Sequence, residues 1–352
     1  MTKAQISSVL VVQTAFAGDV ILTLPLIQVV KKEYPDAVVD IVVIPKCAEL
    51  LANHLSINKV ILYDKHGSES GLRQFIGKVL EIREKKYDVA LVPHRSLRSA
   101  LLVKLAGIPK RIGFMKSAGK LFYTSRIPYD GSVHEINRNC SLLKGMGIDP
   151  SLKEYPQLFP TFHDQKKVGH FLSEHGIQHV NNLIGVAPGT VWKTKQWLTE
   201  RYIELVKKLT SHGYPVVLIG GKEDVELCES IRNEGMSRSI SSAAGKLTFL
   251  QSAELIHRCR ILISNDSAPM HLAVAMRTPV VAIFGATIPE FGFAPYGESD
   301  VVLETKGLTC RPCSVHGGHR CPVKTFDCMT QISADVVYEE VLKLLSKKFQ
   351  SG

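Results

Sequence analysis

The sequence predicts an α/β protein with two parallel β-sheets, on three observations. Short, continuous runs of apolar and β-branched residues recur along the chain. Helical patterns of ten or more residues separate most of them. A proline-bearing stretch without periodicity divides the 352 residues into two similar halves. Strands that are apolar throughout must be covered on both faces, which parallel sheets with crossover helices achieve. The length suits about two domains, each with a sizeable core.

Taken in order, "SSVLVV" (7–12), "AVVDIVVI" (37–44), "KVILYD" (59–64) and "YDVALVP" (87–93) read as buried strands of the first half. "NLIGVAP" (182–188), "YPVVLIG" (214–220), "RILIS" (260–264) and "PVVAIFG" (279–285) do the same in the second. Residues 71–86 and 199–213 carry helical patterns, and 333–349 reads as a long amphipathic closing helix. The stretch 149–162, "DPSLKEYPQLFPTF", holds three prolines and reads as the linker. Domains of residues 1–160 and 161–352 follow, the last helix being free to pack back on the N-terminal one.

Ala15-Phe16-Ala17 follows a short apolar run and raises the question of an export signal. Such a signal needs an apolar core of about 7–15 residues. Here Val9-Leu10-Val11-Val12 runs for four before Gln13 and Thr14. A strand, a Gly-containing loop and a helix fit better, and the stretch is expected to stay in the mature protein. No apolar stretch reaches the ~18 residues of a spanning helix. A cytoplasmic chain with reduced thiols is expected.

The net charge is +10. It implies acidic partners such as nucleic acid, anionic lipid or phosphorylated substrates. No basic arm, zinc finger or RNA-module signature accompanies it, so no nucleic acid is expected. A basic surface facing phosphate groups is the better reading.

Ligands of doubly wound sheets bind outside the carboxyl ends of strands. Four post-strand loops are unusual. In "TAFAGDVILTLP" (14–25), Gly18 allows a tight turn, and Asp19 follows as either a helix N-cap or a base. In "VAPGTVWKTKQWL" (186–198), Gly189 and Thr190 form a turn that meets an anion, flanked by Lys193 and Lys195; the alternative is a solvated loop with packing tryptophans. In "SNDSAPMHLAVAM" (264–276), Asp266 and Ser267 open a helix whose free N–H groups suit an anion. Ser267 and His271 share a face of it, although a buried helix histidine and a capping aspartate explain the same residues.

The fourth loop is "CRPCSVHGGHRCPVKTFDC". Cys310 and Cys313 make a C-x2-C, and Cys321 and Cys328 follow with His316 and His319 between. The second pair is spaced more widely than in most zinc sites, so packing thiols without metal are expected, with a four-thiolate zinc site as the alternative. Lying outside the base and phosphate loops, this segment is expected to be dispensable for chemistry. There is no G-x-G-x-x-G after the first strand and no G-x-x-x-x-G-K-[ST], which excludes an NAD-type enzyme and a P-loop ATPase.

Together, "GDVILTLP", "PGTVWKTKQWL" and "SNDSAPMHLAVAMRTPVVAIFGAT" resemble the ADP-heptose:lipopolysaccharide heptosyltransferases, glycosyltransferase family 9. "HRSLRSALLVKLAGIPKRIGF" (94–114) resembles the family's acceptor-side segment, and the cysteine segment resembles the heptosyltransferase II branch. The resemblance implies a GT-B fold, two Rossmann-like domains with the active site in the cleft between them. It implies an N-terminal acceptor domain and a C-terminal nucleotide-sugar domain. The family's catalytic aspartate falls on Asp19 and its phosphate lysine on Lys195. Its phosphate motif falls on Asp266, Ser267, Ala268 and His271, with Ala268 in place of the usual glycine and Pro269 after it. Gly18, Gly189, Thr190, Lys193, Glu223, Leu247 and Thr248 are the further donor-side candidates, Gly245 and Lys246 flanking the base site, and Arg95, Arg98 and Arg111 are the acceptor-side ones. The implied reaction is inverting transfer of heptose from ADP-L-glycero-D-manno-heptose, with no metal or other cofactor. The implied acceptor is a phosphorylated lipid A–core at the inner face of the inner membrane. The alternatives are another sugar or acceptor, and a non-catalytic nucleotide-sugar-binding protein.

Overall fold

A computed structural model describes residues 6–65, 67, 71–151, 154–177 and 180–346. The chain forms two compact units, Met1–Phe159 and Pro160–Gly352.

The first unit holds β1 (Ser8–Val12), β2 (Val38–Val43), β3 (Lys59–Leu62), β4 (Val89–Val92), β5 (Lys110–Phe114) and β6 (Ser125–Ile127) in the order β3-β2-β1-β4-β5-β6. All five pairings are parallel, with Val9 opposite Val39 on one side and Val89 on the other. The second unit holds β7 (Ile184–Ala187), β8 (Val216–Leu218), β9 (Ile240–Ser242), β10 (Ile261–Asn265), β11 (Val280–Phe284) and β12 (Val301–Glu304) in the order β12-β11-β10-β7-β8-β9. Its pairings are parallel too. Counted from the first strand of each unit, both sheets have the same doubly wound order. The winding reverses between β1 and β4 in one, and between β7 and β10 in the other. Ligand crevices of such sheets lie at those reversals, beyond the carboxyl ends. The loops that meet there carry Asp19 with His94 and Arg95 in the first unit, and Lys195 with Asp266 in the second.

The central strands are buried on both faces, as their uninterrupted apolar sequence requires. Leu10, Val12, Val42, Ala90 and Val92 join helix residues such as Phe75, Val79 and Ile82 in one core. Ile184, Val186, Ile261, Ile263, Val281 and Ile283 centre the other. The closing helix, Ala334–Ser346, puts Val337, Val341 and Leu344 into that second core, and Lys208 pairs with Asp335 at its start. Its apolar stripe is thus used on its own unit. Residues 347–349 of the expected helix lie outside the described residues.

The linker is more ordered at its edges than its prolines imply. Gln28 donates to Tyr155 O and accepts from Gln157 N–H, which fixes 155–157 to the first unit. Thr161 then caps the helix Phe162–Glu174 through a capping box with Asp164. Among the described residues no helix is long and apolar enough to cross a membrane.

Candidate functional site

In the first unit, β1 runs into the short helix Ala17–Ile21. Its N-cap is Phe16, so Asp19 stands in the first turn and is not the cap. Gly18 is inside the helix and is not among the positive-φ glycines, so the left-handed freedom expected of it is unused. Pro25 stands in the first turn of the next helix, Leu24–Glu33, where its missing N–H costs nothing. Asp19 is half-buried, and its charge reaches three neighbours. Burial pushes the Cys47 thiol up to about 11, with Asp19 adding to it. Burial and then Arg98 lower Lys65, which Asp19 opposes. Burial raises the Glu135 carboxyl to about 7 against the pull of buried Arg138, with Asp19 raising it further and Arg95 lowering it. Asp19, Lys65, Arg95, Arg98 and Glu135 thus share one electrostatic neighbourhood.

His94, which sequence reasoning passed over, ties this loop to the one after β4: its Nδ1 lies 3.0 Å from Thr14 Oγ1 and 2.9 Å from Ser99 Oγ. A polar residue straight after an apolar strand was the available signal. The Arg95 guanidinium sits 4.4 Å from the Tyr129 ring centre, and that of Arg98 sits 5.2 Å from Tyr63 and 5.3 Å from Phe75. Arg111 does not join them. It lies near the amino end of β5, and its guanidinium donates to the carbonyls of Ile108, Pro109 and Phe122. An arginine committed to three backbone acceptors at the far end of the strand is structural. The loop after β5 takes its place on the ligand edge. Met115, Lys116, Ser117 and Lys120 line a cavity of 530 Å³ with Pro128 and Tyr129. Lys116 Nζ lies 5.5 Å from the Tyr129 ring.

In the second unit, Lys195 Nζ lies 2.6 Å from Asp266 Oδ2, the lysine 13% and the aspartate 7% exposed. Thr287 Oγ1 donates to the same oxygen at 2.7 Å. Asp266 is therefore the counter-ion of the lysine and not a cap. Ser267 is the N-cap of the helix Ala268–Ala275, with extended backbone and Pro269 in the first turn. The first N–H groups of a helix have no partner within it, so the helix start beside the lysine has the polarity for an anion. His271 is buried on this helix.

Asn265, fully buried, joins the two loops of this reversal. Its Nδ2 donates to Pro188 O at 2.8 Å, and its Oδ1 accepts from Trp197 N at 3.0 Å. Gly189 is needed because a β-carbon there would stand 2.0 Å from Asp224 Oδ1. Asp224, also missed, accepts from Gly221 N. Its carboxyl is raised by burial, which the Gly221 bond opposes, Glu223 raising it and Lys193 lowering it. The turn at 188–190 therefore has a carboxylate against it, which opposes the anion expected there. Thr190 Oγ1 accepts from Trp192 N, and Lys193 Nζ donates to Gln196.

Gly245 N donates to Gly220 O, which brings the loop of Glu223 beside that of Leu247, as the donor reading needs. Thr248 caps the helix Phe249–Arg258 through a capping box with Gln251, its hydroxyl oxygen accepting from Gln251 N.

The cysteine segment lies closer to the phosphate loops than expected. It packs directly on the lysine loop: Gly318 N donates to Thr194 Oγ1, Thr194 N donates to Gly318 O, and the His319 ring lies 5.1 Å from that of Trp192. None of the eight cysteines is in a disulfide. Burial raises the Cys313 thiol, with Cys310 and Cys321 adding to it, so these sulfurs lie within one another's fields.

A model of glycosyltransferase family 9 (heptosyltransferase) matches residues 78–321. The chain is similar to lipopolysaccharide heptosyltransferase 2 of Salmonella typhimurium, 31% identical over 296 residues, covering 80% of this chain and 84% of that protein. Lipooligosaccharide heptosyltransferase 2 of Haemophilus influenzae is 26% identical over 354 residues, covering 97% and 100%. Among solved structures, a family 9 glycosyl transferase from Veillonella parvula aligns with a TM-score of 0.87 at 24% identity over 98% of both chains. The E. coli ADP-heptose heptosyltransferase II aligns at 0.77 and 25% identity, over 96% of this chain and 98% of that one. Two Rossmann-like units with the same winding agree with the GT-B architecture of these neighbours. The chain belongs to glycosyltransferase family 9, the heptosyltransferases.

Proposed function

We propose that the protein transfers heptose, with inversion, from ADP-L-glycero-D-manno-heptose to the phosphorylated inner core of lipopolysaccharide, as a heptosyltransferase II. The observation that carries this reading is the Lys195–Asp266 pair at the β7/β10 reversal, beside the helix start at Ser267 and Ala268. An ammonium has three donors. Asp266 takes one and fixes the lysine, which leaves two for a diphosphate. That cation and the helix end stabilise the charge that develops on departing ADP, the role a divalent metal has in other transferases. Asp19 is assigned as the base that takes the proton of the acceptor hydroxyl as it attacks the anomeric carbon. The relatives named above support heptose and ADP as the donor parts.

On the acceptor side, Arg95, Lys116 and Lys120 have no carboxylate within ion-pair distance among the described residues. Three cations around one tyrosine suit a phosphorylated saccharide. Together with the +10 net charge they support peripheral contact with an anionic membrane face, on the cytoplasmic side.

Calorimetry with ADP tests the donor half. ADP is expected to bind equally with and without a chelator, and binding that vanishes on chelation refutes the metal-free site. Lys195→Ala is expected to weaken ADP by roughly 1.5–3 kcal/mol. It also leaves Asp266 as a buried charge without its cation, a loss of about 3–5 kcal/mol for a fully buried pair. Lys195→Ala/Asp266→Asn should recover the stability but not the affinity. A double variant that binds ADP like the parent removes the lysine from the site. Mass spectrometry of the acceptor after reaction decides the sugar: a product without one added heptose overturns the assignment.

A further inference from the structure

Lys195 closes a single short turn, Lys193–Lys195, with no longer element around it. Its anchorage comes from a segment more than a hundred residues later. Thr194, 3% exposed, makes three hydrogen bonds beyond position 285. Its N–H donates to Gly318 O at 3.0 Å, its carbonyl accepts from Ala286 N at 3.3 Å, and its Oγ1 accepts from Gly318 N at 2.8 Å. Gly317, at φ +87°, lies along the lysine stem. A β-carbon there would stand 3.1 Å from Lys195 Cγ and 3.3 Å from Cε.

The segment is itself held. Cys313 N donates to Ala286 O at 2.9 Å. Arg311, paired with Glu304 at 2.7 Å, donates to the carbonyls of Gly285 and Thr287. Thr287 in turn holds Asp266. One segment thus fixes both members of the ion pair, the lysine by direct packing and the aspartate through Thr287.

We propose that residues 310–319 are a positioning brace for the phosphate-binding lysine, fastened by Thr194 and Gly318. The proposal rests on the donor reading above. A lysine is a point charge on a flexible four-carbon stem. It contributes to diphosphate binding to the degree that its freedom is removed before the ligand arrives. A brace against the stem does that without touching the ligand, so Thr194 and Gly317 are positioning residues.

Three variants test this. Thr194→Val keeps the shape and strands the Gly318 N–H. Thr194→Ser restores the acceptor. Gly317→Ala keeps the Thr194 hydroxyl but presses a methyl on the lysine stem, at a φ of +87° that strains any side chain. In Thr194→Val and Gly317→Ala the affinity for ADP should fall about tenfold, while Thr194→Ser stays within about threefold of the parent. Adenosine, which has no phosphate to meet the lysine, should bind all four proteins alike. Hydrogen exchange over 192–197 should quicken in ligand-free Thr194→Val. A general loss of structure would lower ADP and adenosine together, and that result overturns the proposal. So does ADP affinity within twofold of the parent in both Thr194→Val and Gly317→Ala. Should Thr194→Val not fold, Gly317→Ala decides alone. A parent that binds no ADP refutes the donor reading itself, and is told apart because the defect is then not confined to the variants.

Discussion

Asp19 is not the N-cap, because it is the third residue of a helix that Ala17 opens and the extended backbone of Phe16, three positions earlier, caps. Asp19→Asn is therefore expected to keep the melting temperature within a few degrees and to leave ADP affinity unchanged. Turnover should fall by roughly 10²–10⁴, the worth of a positioned general base. Transfer by the folded variant within a few-fold of the parent would show that another group takes the proton. Asp19, Lys195 and Asp266 stood out as candidates because they lie in loops that follow apolar runs and fall on the motifs the resemblance rests on. Their relations did not stand out. Nothing in the order of residues says that Lys195 is paired with Asp266, or that Asn265 rather than Asp266 knits the loops together. Arg111 misled for the same reason. It belongs to the basic segment 94–114, yet it stands at the strand end away from the ligand edge and is consumed by carbonyls.

At the scale of elements, the eight apolar runs all became strands, because continuous β-branched sequence has few other ways to be buried. β5, β6, β9 and β12 escaped notice, "KRIGF" because it opens on two basic residues. "SRI" and "ISS" are three residues long, and "VVLE" is half-exposed at a sheet edge, where little apolar patterning is demanded. The cysteine segment has no periodicity at all, so its packing on the lysine loop had no local sign. Connecting turns also set the response to acid. His54 is buried, accepts from Ser56 N on Nδ1 and meets the edge of Phe159 at 5.2 Å. Burial lowers it to about 4, with its own backbone bond opposing. The unfolded chain then binds a proton between about 6.5 and 4 that the folded one refuses. Its share of stability is complete above pH 6.5 and disappears as pH falls through 4, up to about 3 kcal/mol. Denaturant unfolding from pH 7.5 to 4.5 should fall more steeply for the parent than for His54→Leu. Parallel curves would mean that His54 titrates normally.

At the scale of the whole molecule, the two units repeat one winding with different polar content at the reversal. The first carries a carboxylate among arginines and lysines, and the second a lysine neutralised by its own aspartate. The excess of basic over acidic residues, 43 against 33, should therefore be felt unequally by the two substrates. Raising salt from 0.05 to 0.5 M should increase the KM for the phosphorylated acceptor several-fold, since exposed charges are screened beyond a few ångströms there. The KM for the nucleotide sugar should change less, because the Lys195–Asp266 pair is largely shielded from solvent. Equal salt dependence for both substrates would argue against this division of charge.

The bond between Gly318 N and Thr194 Oγ1 spans 124 residues of sequence. Loop-closure entropy must be overcome before such a contact rewards the chain. As the polypeptide leaves the ribosome, β7 to β11 are complete well before residue 310 emerges, and Lys195 and Asp266 are already present. The lysine loop still lacks its fastening at that stage. On the donor reading proposed above, the lysine loop is thus among the last parts of the molecule to mature.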